Sequence, residues 1–98
     1  MVYPQKKRNQ SIQIQSPYKF KYPRENFIKL NFDGASKGNL GLAGFGGIFR
    51  DNQGRTRWIY ADWGGIMSNN EAKLMAIYQG IRIAIRNGYT QLEIEGDS

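Results

Sequence analysis

From Phe27 onward the chain alternates. Ile28, Leu30 and Phe32 are apolar, and Lys29, Asn31 and Asp33 interleave with them as polar residues. A period of two places each set on one face of a strand, so the pattern predicts a half-buried strand ending near Asp33. Gly34 to Ala43 reads as a glycine-rich loop. Gly46–Arg50 and Thr56–Asp62 read as two more strands, joined across the turn residues Asp51-Asn52-Gln53-Gly54. At Ser68 the period changes. Ser68 and Glu71 have the spacing of a capping box, serine at the N-cap and glutamate three residues on. The helix they open is expected to run to about Arg86, where Asn87-Gly88 supplies a residue free to adopt positive φ. Leu92, Ile94 and Gly96 then alternate with Glu93, Glu95 and Asp97 as a fourth strand. The predicted fold class is α/β, a mixed sheet in the order β-β-β-α-β.

Residues 1–26 have no such period. Gln5, Gln10, Gln13 and Gln15 interrupt the aliphatics, and Pro4, Pro17 and Pro23 bias the backbone toward extended structure. Ile12 and Ile14 alternate weakly with glutamines, which permits a short edge strand. The expectation is instead a flexible basic arm over 1–26, followed by a domain over 27–98. Charge draws a similar boundary. Residues 1–30 hold seven basic side chains and one acidic one, and residues 31–98 hold seven of each, so the whole net charge of +6 lies in the first third. Lys6, Lys7, Arg8, Lys19 and Lys21 share the arm with Tyr18, Phe20 and Tyr22. Ammonium and guanidinium groups pair with phosphates, and aromatic faces stack on bases, so the arm is a candidate sequence-tolerant nucleic-acid binder. A plainly solvated tail is the alternative for the same residues.

Composition narrows the chemistry. There is no cysteine and no histidine. Disulfides, thiolate metal sites, histidine general bases, catalytic triads and the usual zinc ligands are thereby excluded. The longest stretch free of charge, Gly38 to Phe49, is twelve residues, short of the roughly 20 a helix needs to cross a bilayer. No apolar run follows the first basic cluster, so the expectation is no secretory signal and an intracellular location, nuclear or cytoplasmic.

The helix allows the fourth strand to return parallel to the first. Asp33 and Asp97 then converge at the C-terminal edge of the sheet, on strands about 4.8 Å apart. Two close carboxylates repel unless a proton or cation relieves them, and without histidine or cysteine a hard cation such as Mg²⁺ is the natural candidate. Each aspartate alone also fits a structural role, Asp33-Gly34 as a turn dipeptide and Asp97 as a strand end.

Taken together, Lys29-Leu-Asn-Phe-Asp33-Gly-Ala-Ser36, the glycine-rich Gly38 to Gly47, Ser68-Asn-Asn70 and Glu95-Gly-Asp97-Ser98 resemble type 1 ribonuclease H. The resemblance is greatest to the plant form found with retroelement reverse transcriptases, and it covers about residues 27–98. It implies a mixed five-stranded sheet with the first and fourth strands parallel at its centre. It implies Mg²⁺-dependent hydrolysis of the RNA strand of RNA–DNA hybrids, with four carboxylates holding two ions. By the same resemblance Asp33 is the first carboxylate and Asp97 the third, both metal ligands. Asn69 and Asn70 match positions that touch the hybrid in its minor groove.

Three departures from the family pattern follow. Leu40 and Leu42 stand where the family loop often has proline. The sequence ends before the fifth strand, the later helices and the fourth carboxylate, which predicts an open edge along the fourth strand and self-association through it. The catalytic glutamate should follow the asparagine pair by three positions, and that position is Lys73. Glu71 is one residue after Asn70 and invites assignment in its place. At about 100° per residue, Glu71 shares the face of Arg82, Arg86 and Gln79, whereas Lys73 falls between Gly80 and Ala84 on the sheet-facing side. Glu71 is therefore read as a cap, and Lys73 as the residue at the glutamate's place. The expected function is a ribonuclease H-like nucleic-acid-binding domain, catalytically impaired, with Mg²⁺ bound weakly or not at all. The alternative is a non-enzymatic binder acting through the arm.

Overall fold

A computed structural model of the chain describes residues 11–15, Pro23 and residues 25–96. Its elements are β1 (Ser11–Gln15), β2 (Ile28–Ser36), β3 (Gly41–Arg50), β4 (Thr56–Met67), α1 (Asn69–Arg86) and β5 (Gln91–Gly96). They form one sheet in the order β1-β5-β2-β3-β4. β2, β3 and β4 are an antiparallel meander, and α1 carries the chain back so that β5 lies parallel to β2. Over residues 27–96 this is the expected β-β-β-α-β order.

Two expectations are corrected. Gly34–Ala43 is not mainly loop, because the ladder between β2 and β3 extends to the pair Ser36↔Ala43. The reversal occupies only residues 37–40, where Gly38 (φ 83°) and Asn39 (φ 49°) take the left-handed region. Glycine is a weak strand former in isolation, but β3 is paired on both sides, and that pairing overrides local preference. The edge of the fourth strand, now β5, is not open. β1 runs parallel along it from Ser11↔Gln91 to Gln15↔Glu95. The weak Ile12 and Ile14 alternation thus marks a strand whose partner lies some 80 residues away.

The core forms where α1 crosses the sheet. Leu30, Phe49, Ala84, Leu92 and Ile94 are buried together, with Ile28, Phe32, Tyr60, Ile81, Ile83 and Tyr89 packed around them. α1 turns its smallest residues, Ala72, Ala76, Gly80 and Ala84, toward the strands. A β-carbon on Gly80 would collide with the Leu30 side chain and lie 2.7 Å from the Tyr60 hydroxyl. That hydroxyl donates to the Ala76 carbonyl. Burial pushes the phenol's pKa well above its ordinary value, so it remains a donor. On the opposite face of β2, Lys29 and Glu95 pair at 2.5 Å with side chains 2% and 5% exposed.

Candidate nucleic-acid interface

Gly34 fixes the geometry of this end of the sheet. A β-carbon there would lie 2.5 Å from the carbonyl carbon of Ala72 and 2.7 Å from the backbone nitrogen of Lys73. Only glycine lets the first turn of α1 rest directly on β2, one residue beyond Asp33. Asp33 is exposed, and one of its oxygens accepts from the Gly34 N–H at 2.8 Å.

Three polar residues stitch the strand end, the turn and the helix together. The Ser36 N–H and hydroxyl both donate to Asn69 Oδ1, at 2.7 and 3.3 Å. Asn39, at the tip of the turn, accepts from the Asn69 N–H at 2.9 Å. Asn69 is thus held by its carbonyl side, and Asn70 beside it is exposed. Ser36 and Asn39 were not among the sequence candidates. Asn39 follows a glycine in a tight turn, a place where asparagine tolerates positive φ, and that was the available signal.

Glu71 is the helix cap. Its N–H donates to Ser68 Oγ at 3.1 Å, and its carboxylate accepts from the Ser68 N–H at 3.0 Å. The bonds with the Ser68 backbone and hydroxyl hold its carboxyl below the usual range. Lys73 is half-buried over the Gly34 end of β2. Among the described residues neither Lys73 nor Asp33 is in an ion pair, whereas Lys29 pairs with Glu95 and Asp51 with Arg55 and Arg57. Lys37, at the start of the turn, is exposed and likewise has no carboxylate partner there. Lys6, Lys7, Arg8, Lys19, Lys21 and Asp97 lie outside the described residues.

The donor set for Mg²⁺ can be tested on this geometry. Among the described residues no three acidic side chains gather to hold a metal. Asp33 stands without a second carboxylate on α1, since Glu71 is committed to the cap and Lys73 brings an ammonium instead. The described residues therefore do not fit a two-ion site.

A family model described as reverse transcriptase-like matches residues 31–98, more than half of the chain. The chain belongs to this family. Reverse transcriptase-like domains of this kind have ribonuclease H relatives. A protein of Arabidopsis thaliana that carries a ribonuclease H name is 37% identical over 76 residues, covering 78% of this chain and 12% of that protein. The ribonuclease H1 of the halophilic archaeon Halobacterium salinarum has the same fold, with a TM-score of 0.70 and 32% identity over 74% of this chain and 55% of its own. A ribonuclease H1 isolated from compost, solved in complex with an RNA/DNA hybrid, matches with a TM-score of 0.68 and 27% identity over 72% of this chain and 54% of its own. The reverse transcriptase-like chain described here is thus a ribonuclease H-like domain that spans about half the length of these solved relatives.

Proposed function

We propose that this domain binds nucleic acid, RNA–DNA hybrids above all, and is impaired as a nuclease. The observation that carries the reading is Lys73. It occupies the place that the resemblance gives to a catalytic glutamate, on a helix turn that Gly34 seats beside Asp33. Two-metal hydrolysis needs shared negative charge between ions roughly 4 Å apart. Asp33, even joined by Asp97, supplies at most a loose site for one Mg²⁺, and a lysine nearby opposes cation entry. The hybrid-bound ribonuclease H1 neighbour supports the choice of ligand, with Asn69 and Asn70 at the minor-groove side. The retroelement form of the family remains part of this proposal.

The test is a cleavage assay on an RNA–DNA hybrid with Mg²⁺, run beside a binding assay on the same duplex. Binding without appreciable cleavage is expected. Robust cleavage by the unmodified chain, lost on changing Glu71 but not Lys73, would overturn the reading.

The placement of all net charge in the first third of the chain favours a second reading, in which the arm alone does the binding. Six basic residues in 6–24 would give a log–log salt slope of at most roughly −5 on duplex DNA. Deleting residues 1–26 is not a clean test, because β1 would go with them. Neutralising Lys6, Lys7, Arg8, Lys19, Lys21 and Arg24 in the full chain is. Unchanged affinity would exclude the arm.

A further inference from the structure

Lys73 is a half-buried cation at the end of a sheet that has no carboxylate partner among the described residues. An ammonium that none of the described residues pairs with is poised for an external anion. We infer that Lys73 makes this a metal-independent phosphate site, its ammonium taking a backbone phosphate of the bound nucleic acid. The inference rests on the nucleic-acid reading above and deepens it: the ligand is a phosphodiester, and no divalent ion is needed to hold it.

Three features of the surroundings favour this. The first turn of α1 cannot drift, because Gly34 contacts the Ala72 and Lys73 backbone and Asn69 is tied to Ser36 and Asn39. The lysine stem therefore starts from a fixed point, and less freedom is lost when its ammonium finds a partner. Lys37 stands exposed on the residue after Ser36, so a second cation borders the same end. Two acids of the described residues belong to the same elements, and both are limited in effect. Glu71 is turned to its cap on another face of the helix, and Asp33 contributes one negative charge against the two lysines. Among the described residues, Asp33, Lys37 and Lys73 sum to one positive charge, so a phosphate meets an excess of cations there without any bound ion. Two carboxylates and no lysine would instead repel it unless a cation intervened.

Binding of the full chain to a short RNA–DNA hybrid, followed by fluorescence anisotropy over a range of salt, tests the idea. The unmodified chain should bind as well in EDTA as in Mg²⁺. Lys73→Met should weaken binding by about tenfold or more, in line with one lost charge-assisted contact. It should also reduce the magnitude of the salt slope by about one, because one fewer counterion is released. A purely structural role would not move that slope. Lys73→Arg should restore most of the affinity, and circular dichroism should report an unchanged fold for both variants. Should Lys73→Met fail to fold, Lys73→Gln and the arginine variant carry the same comparison. Hybrid binding that needs Mg²⁺, or a Lys73→Met slope equal to that of the parent, overturns this inference while leaving the domain a nucleic-acid binder. No hybrid binding at low salt would instead remove the broader reading beneath it.

Discussion

Lys29 and Glu95 place an ammonium and a carboxylate between two parallel strands with almost no solvent access. Such a pair is a poor source of net stability, since desolvation offsets most of the attraction, but breaking it strands a buried charge. Lys29→Ala should therefore cost about 3–5 kcal/mol. Replacing Lys29 with methionine and Glu95 with leucine together should recover part of that, since Glu93, opposite Lys29 in the ladder and equally buried, keeps its charge. Urea denaturation of the single and double variants checks it; additive losses would mean the two side chains do not act as a pair. Other single residues differ in how far sequence exposes them. The role of Glu71 follows from local spacing, because its partner Ser68 is three residues away. Asn39 and Ser36 act through Asn69, at separations of 30 and 33 residues. No local pattern announces such bonds, so these two escaped notice while Asn69 and Asn70 did not.

The β3–β4 hairpin and α1 each hang on a local device. At the hairpin, Asp51 Oδ1 accepts from the backbone N–H groups of Gln53 and Arg55, both at 2.9 Å, and Oδ2 accepts from the Arg55 guanidinium. Burial alone would raise its carboxyl pKa, but the hydrogen bonds from Arg55 and Gln53 outweigh that and lower it. A folded-state value below the unfolded one contributes stability above the unfolded-state pKa of about 3.8, and the contribution is lost as pH falls through the lower folded value. Asp51→Asn should thus lower the thermal midpoint near neutral pH, and the gap from the parent should close on acidification below about pH 4. A gap that does not depend on pH would show that the charge of Asp51 is not what holds the turn. In α1, Ser68→Ala removes an acceptor from the Glu71 N–H and should cost about 1 kcal/mol, read from the unfolding midpoint. Both devices were legible, as a turn and as a capping box. The extent of β3 was not. Glycines at 41, 44, 46 and 47 lower its strand propensity, and only pairing with β2 and β4 makes a ten-residue strand of it.

At the scale of the molecule, the sheet has two edges of unlike character. One is β4, twelve residues long, with Trp63 and Ile66 exposed. The other is β1, five residues, whose sequence is too weakly patterned to declare a strand without its neighbour in view. β5 lies between β1 and β2, and Leu92, Glu93, Ile94 and Glu95 are all buried. The open edge expected along β5 is thus closed within this chain, and self-association by that route requires β1 to leave first. A backbone without an N–H cannot complete the ladder, so a proline inside β1 should detach it. Alternate residues of a strand point their N–H groups to opposite sides, so Gln13→Pro and Ile14→Pro together test both phases. The variant that removes a ladder bond should expose the β5 edge and assemble in a concentration-dependent way, while the parent stays monomeric at the same concentrations. Sedimentation velocity over a dilution series separates the two. If the parent and both proline variants assemble alike, the contact resides elsewhere, and the exposed Trp63 and Ile66 of β4 become the surface to change next.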